Sequence, residues 1–357
     1  MKMTFRWFAF GHDSVTLKQI KQIPGMAGVV TSILDIPVGE VWPLETLERL
    51  KNEVTAAGLE MDVIESVNVH EDIKLGLPTR DTYIENYIEC IKNLSAVGVK
   101  VLCYNFMPVL DWARSELNFE LPDGSFVLSY RHAKVLEMDP SALANKTADD
   151  SFGFELPGWE SERLKQMPQL IEAYKNINQE QYFKNAKYFL DAVIPAAEKY
   201  GVKMAIHPDD PPWPIFGLPR IMTSRDNVRK YLDLHKSEYN GLTLCSGSLG
   251  ANRSNDIPSM IREFGSEGRI HFVHLRNVIH HEGLDFDESA HLSRLGSLDM
   301  YEIMKSLVDV NFSGYVRPDH GRMIWDEVAR PGYGLYDRAL GATYLLGLHE
   351  AIVKNKR

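Results

Sequence analysis

Tyr200-Gly201-Val202-Lys203-Met204-Ala205-Ile206-His207 condenses the plan of this chain: the end of an amphipathic run, a glycine, a short β-rich run and a histidine. A glycine at that point suits a helix C-cap in the left-handed conformation, so the segment reads as helix, turn, strand. Ala57-Gly58 and Val97-Gly98 repeat the device ahead of two further β-rich runs. Outward from it, candidate strands fall at residues 4–8, 28–32, 61–67, 100–106, 203–207, 242–245, 270–275 and 315–317. Helical periodicity follows most of them, as in Leu44, Leu47, Leu50 and Val54, or Tyr87, Ile88, Ile91 and Leu94. Further candidate helices cover 181–200, 225–235, 258–264, 298–310 and 338–354. Strands alternating with helices predict βαβ units and a parallel sheet. Eight of them fit a closed (β/α)8 TIM barrel better than an open sheet.

The 357 residues are enough for two average domains, but a barrel of this kind runs from about 200 to over 400 residues, so one domain over 1–357 is expected. The spacing breaks once, at 107–178, where Pro122-Asp123-Gly124, Asp149-Asp150 and Pro157-Gly158 read as surface turns; this is taken as an insertion after the fourth strand. Hydrophobic residues at 44% and charged residues at 25% give an ordinary globular core. A net charge of -10 leaves no basic footprint, so nucleic acid is excluded as a partner. The start of the chain lacks a signal-peptide pattern and no apolar run reaches membrane-spanning length, which predicts a cytoplasmic protein without membrane contact. Three cysteines do not make a disulfide framework.

In a parallel barrel, functional side chains sit at the C-terminal strand ends. His207, Cys245, His274 and Asp319 each fall at or just beyond the end of one of four consecutive strands. Two imidazoles, a thiolate and a carboxylate are a coherent ligand set for one divalent transition metal, and the thiolate argues for zinc, iron or cobalt. Cys90 and Cys103 read as buried thiols, and His280-His281 as a solvated loop. Arg276 and Arg317 share strand parity with His274 and Asp319, so both are expected to face the cavity, where a guanidinium can grip a carboxylate. Asp209 and Asp210 read equally well as a solvated turn before Pro211-Pro212.

Several stretches are distinctive: Glu65-Ser-Val-Asn-Val-His70-Glu-Asp-Ile-Lys74, Cys103-Tyr-Asn-Phe-Met-Pro-Val-Leu-Asp-Trp112, His207-Pro-Asp-Asp-Pro-Pro-Trp-Pro-Ile-Phe-Gly-Leu-Pro-Arg220 and Val316-Arg-Pro-Asp-His-Gly321. Together they resemble the mannonate dehydratase family across nearly the whole chain. The region after Trp112 is shorter than in some members, and Leu249 stands where an aromatic is expected. The resemblance implies a xylose-isomerase-like barrel that converts D-mannonate to 2-keto-3-deoxy-D-gluconate in hexuronate breakdown, with Mn²⁺ as the metal and Fe²⁺ as the alternative. A small sugar acid is then the partner, and a homo-oligomer stays open. His320 and Tyr333 are the expected acid and base, with Tyr333 taking the C2 proton and His320 protonating the C3 hydroxyl. Arg6, His70, Asn105 and Arg220, with Arg276 and Arg317, are the expected substrate contacts. The competing class is a metal-dependent sugar isomerase on the same barrel, for which a carboxylate-rich site with a lysine would be expected.

Overall fold

The computed structural model describes residues 1–138, 154 and 161–356; the expected loops at Asp149-Asp150 and Pro157-Gly158 lie outside the described residues. In chain order the strands are β1 (Lys2–Arg6), β2 (Met26–Thr31), β3 (Glu60–Glu65), β4 (Val101–Tyr104), β5 (Glu116–Glu120), β6 (Phe126–Tyr130), β7 (Lys203–Ile206), β8 (Asn240–Cys245), β9 (Ile270–Leu275), β10 (Asn277–His280), β11 (Phe286–Ser289) and β12 (Tyr315–Pro318). Eight of these close a parallel barrel in the order β1-β12-β9-β8-β7-β4-β3-β2, so all eight expected strands are present and the expected TIM barrel is found.

The strand runs read as nearly continuous apolar stretches because each buries both of its faces. One parity points into the barrel, where Val30, Val63, Val101, Cys103, Ala205 and Phe272 form a small inner core. The other parity, including Val29, Ile64, Leu102, Met204, Leu244 and Val316, packs against the helices in the main core. The helix Gln179–Tyr200 shows why the opening segment reads as it does. Asn178 caps its start by accepting from the Gln181 amide, and Gly201 ends it at φ 70°, its N–H bonding back to Ala197 and Glu198. Its buried stripe, Tyr182, Ala186, Phe189, Val193 and Ala197, lies against the barrel.

The remaining four strands make an antiparallel sheet in the order β10-β11-β6-β5. β5 and β6 lie within the 107–178 stretch, together with the helices His132–Glu137 and Ser161–Tyr174. β10 leaves the barrel one residue after β9 and turns back as β11, which pairs with β6 through Phe286↔Tyr130 and Asp287↔Ser129. Two excursions far apart in sequence therefore share one sheet. His280 is in β10, its Nε2 2.7 Å from the Gly250 carbonyl, rather than in the solvated loop expected for His280-His281.

Candidate active site

Strand register decides which inward side chains meet. Cys245 pairs with His274 across β8 and β9, His274 pairs with Arg317 across β9 and β12, and Glu65 pairs with Cys103 across β3 and β4. Inward-facing positions near the barrel mouth thus carry a thiol, an imidazole, a guanidinium and a carboxylate. His207 and Asp319 sit one step beyond their strands and add an imidazole and a carboxylate at the mouth.

The four expected metal ligands converge. His207 Nε2 lies 3.2 Å from His274 Nδ1, Cys245 Sγ 3.4 Å from Asp319 Oδ2, and His274 Nδ1 3.8 Å from Asp319 Oδ1. The donor atoms of His207, Cys245 and His274 all fall within 4.8 Å of one another. Each imidazole turns its other nitrogen to an oxygen: His207 Nδ1 is 2.7 Å from the Pro208 carbonyl, and His274 Nε2 is 3.2 Å from Glu65 Oε2. Such partners orient histidines whose remaining nitrogen faces a metal. Burial pushes His207 below its ordinary value, toward the neutral form that can bind a cation. The Cys245 sulfur receives the Ser248 amide at 3.3 Å and the Ser248 hydroxyl at 3.1 Å. Donor types, orientation and spacing therefore fit a divalent cation.

Glu65, Cys103 and His274 form a second close trio. Arg317 Nη2 is 3.1 Å from Glu65 Oε1, and Arg6 lines the same cavity, so positive charge is already supplied there. Burial alone would raise the Glu65 carboxyl, but Arg317, His274 and Arg6 hold it well below the usual carboxylate range. This trio is better understood as an orienting carboxylate under His274. Asp319 behaves likewise: burial opposes its charge, while Arg317 at 2.8 Å, with His320, His274 and Arg276, keeps it ionised.

His320 and Tyr333 both reach the mouth, with His320 Nε2 3.0 Å from the Tyr333 hydroxyl. The Gly321 amide donates to the Gly332 carbonyl at 2.9 Å, tying the loop of one to the loop of the other. Arg338 donates from Nε to the Gly334 carbonyl at 2.6 Å and also bonds the Tyr333 carbonyl, which fixes the tyrosine from behind. Burial pushes the Tyr333 phenol up to about 12, with Arg317 and Arg6 opposing and Asp319 and Glu65 reinforcing.

Of the expected substrate contacts, Arg6, Asn105 and Arg317 line the cavity. The others stand elsewhere. Arg276 is buried behind the cavity, donating to Asp210 at 2.6 Å and Glu288 at 2.7 Å. Arg220 is buried against Asp209 and the Leu110 carbonyl, a strut rather than a cavity wall, because its guanidinium is spent on the loops that carry it. His70 caps the helix Glu71–Leu75 by accepting from the Asp72 amide, stacks on Tyr83 at 3.6 Å, and faces the neighbouring groove along Ser66 and Asn68. Asp209 and Asp210 are not a solvated turn: both are buried, Asp209 accepting from the Met222 amide and Asp210 paired with Arg114 at 2.8 and 3.0 Å.

Sequence reasoning missed Glu65, Arg114, Asp210 and Glu288. Glu65 obeys the same strand-end rule that found His207 and could have been found by it. Glu288 carried no such signal, since it reaches the site on β11, outside the barrel strands.

Residues 1–357 match the family model described as D-mannonate dehydratase (UxuA). The mannonate dehydratase of Thermotoga neapolitana is 59% identical over 356 residues, covering 100% of this chain and 99% of that protein. That of Geobacillus thermodenitrificans is 55% identical over 357 residues, covering 100% and 96%. The crystal structure of mannonate dehydratase from Streptococcus suis serotype 2 superposes with a TM-score of 0.91 at 48% identity, over 100% of this chain and 96% of that one. A xylose isomerase domain protein from Planctomyces limnophilus, with a TM-score of 0.56 at 12% identity over 99% and 98% of the two chains, shares the fold alone. The full-length match and the high identity agree with the fold and the converging side chains, and this chain belongs to the D-mannonate dehydratase family.

Proposed function

We propose that this protein removes water from D-mannonate to give 2-keto-3-deoxy-D-gluconate, using a divalent metal held by His207, Cys245, His274 and Asp319, as a cytoplasmic step of hexuronate breakdown. The observation that carries the reading is the convergence of that donor set at the wall of the cavity that the His320–Tyr333 pair lines, in a chain of this family. Mn²⁺ is the metal assigned, with Fe²⁺ suited to the thiolate. When bound, the cation supplies Lewis-acid stabilisation for the charge that builds on the substrate carboxylate when C2 loses its proton.

The chain's own residues do the rest. Arg6 spends one long bond of 3.4 Å on the Val30 carbonyl and turns its guanidinium to the cavity, where it can bind the substrate carboxylate beside Arg317. A phenol pushed up to about 12 keeps its proton, so Tyr333 is the donor of the pair and His320 Nε2 the acceptor. This reverses the division of labour expected from the sequence. His320 takes the C2 proton, the C2–H electrons form the C2=C3 bond, and the C3–O bond breaks. Tyr333 gives its proton to the departing hydroxide, which leaves as water. The enol then ketonises by moving its hydroxyl proton to C3. The 3.0 Å contact lets the proton on His320 pass to the Tyr333 oxygen, which restores both groups.

The sugar isomerase reading finds less support, because the described residues lining the cavity include no lysine. Assay of 2-keto-3-deoxy acid formation from D-mannonate, with and without Mn²⁺, tests the function. Metal-free protein should be folded and inactive, and full activity without metal would refute it. Tyr333→Phe and His320→Asn should each lower kcat by about 10² to 10⁴ with metal content kept. Exchange of the C2 hydrogen with deuterated solvent should survive Tyr333→Phe and vanish in His320→Asn; the opposite pattern would restore the first assignment.

A further inference from the structure

The hairpin β10–β11 brings to the acid–base pair a carboxylate that the chemistry above does not use. Along β11, Asp287 bonds Arg131 and His281, while its neighbour Glu288 points the other way into the buried charges behind the site. Glu288 is 2% exposed, and its two oxygens lie 2.8 and 3.0 Å from His320 Nδ1. The far nitrogen of the same ring meets Tyr333. Arg276 Nη1 also approaches Nδ1, at 2.7 Å, and stands 2.7 Å from Glu288 Oε1. A guanidinium only donates, so Nδ1 either accepts from Arg276 or carries a hydrogen and donates to Glu288. The second arrangement is favoured. The carboxylate offers two oxygens and a charge-assisted bond, and Arg276 already has Glu288, Asp210 and Ser248 as acceptors.

We propose that Glu288 is a positioning residue for the dehydration, accepting the Nδ1–H of His320 and so fixing the tautomer whose Nε2 lone pair faces Tyr333 and the cavity. The inference rests on the function assigned above. A carboxylate on one imidazole nitrogen both orients the ring and leaves the other nitrogen as proton acceptor, the arrangement whose loss in a Ser-His-Asp triad costs about 10⁴ in rate. Glu288 touches neither the substrate space nor the ligand atoms, so its effect passes through His320.

The test is a double-mutant cycle on the metal-loaded enzyme with D-mannonate. Glu288→Gln should lower kcat about 10²-fold or more, leave KM within about 2-fold and leave metal content unchanged. In the His320→Asn background the same change should cost less than about 3-fold, because the residue it acts through is gone. If Arg114 and Arg276, left without a full carboxylate, prevent Glu288→Gln from folding, Glu288→Asp keeps the charge and its cycle is read the same way. Wild-type kcat in the single variant, or an equal loss in both backgrounds, overturns the positioning role alone. Failure of the wild-type enzyme to turn over D-mannonate overturns it together with the function on which it rests.

Discussion

Cys245, Cys103 and Cys90 are one side chain in three settings. Cys90 is packed in a helix beside the Trp42 amide, and burial pushes its thiol up to about 11. Cys103 faces the barrel interior and receives the Thr243 hydroxyl at 3.2 Å; burial pushes it well above its ordinary value. Cys245 alone stands among two imidazoles and a carboxylate. Cys245→Ser should weaken metal binding by more than the roughly 10- to 100-fold typical of losing an outer partner, because a neutral hydroxyl replaces a thiolate in the ligand set. Cys90→Ser and Cys103→Ser should hold metal as the wild type does. Metal titration with elemental analysis of the three variants is the measurement, and equal retention would remove Cys245 from the set. At this scale the convergence of the four proposed ligands was legible because strand-end position and alternation are local properties of the text. His70 and Arg220 were not, since motif position says nothing about whether a guanidinium or imidazole is already engaged by its own loop.

The short helix Ser246–Gly250, which follows β8, packs its Gly247 against the Arg276 side chain. A methyl at 247 would overlap Nε, Cγ and Cδ of an arginine that Asp210, Glu288 and Ser248 hold in place. Gly247→Ala should therefore cost about 1–3 kcal/mol of stability, as overpacking does, and should lower kcat by displacing Arg276 from Glu288. Gly347, in the helix Tyr336–Asn355, meets nothing within 4 Å, so Gly347→Ala should be neutral or stabilising by up to about 1 kcal/mol. Urea unfolding of both variants gives the comparison, and equal stabilities would show that the Arg276 cluster yields freely. The elements themselves divide in the same way. The eight barrel strands were readable from their apolar runs, several with glycine-marked starts, whereas β10 and β11 were not read as strands, because β11's further partner β6 lies more than 140 residues earlier.

Across the whole molecule, buried ionisable groups set the response to acid. His271, under the barrel, bonds the Met204 carbonyl at 2.8 Å and is pushed down to about 3 by burial. Its folded value lies below its unfolded value of 6.5, so between those limits the unfolded chain binds a proton that the native state refuses. Its contribution is intact above pH 6.5 and is lost as pH falls toward 3, on the order of a few kcal/mol in all. Glu65, Asp210 and Asp319, also depressed, lose theirs only below the ordinary carboxylate range, so the upper part of the acid limb belongs to histidines. His271→Gln, which cannot titrate, should flatten the fall in urea stability between pH 6.5 and about 4.5. An unchanged slope would mean that His271 is not held neutral.

By itself the sequence determined the barrel, the order of its strands and the four donor side chains that converge at its mouth, together with Arg6, Asn105, Arg317, His320 and Tyr333 beside them. All of these follow from periodicity, turn residues and recognisable local stretches, which neighbours a few residues apart encode. Only the tertiary structure decided that Asp209, Asp210, Arg220 and Arg276 are buried struts, that two excursions share one sheet, and that Glu288 stands against His320. Those facts depend on barrel closure and strand register, which bring together groups such as Arg114 and Glu288, 174 positions apart. A buried charge is tolerable only where such distant partners arrive together, and no local pattern records that they will.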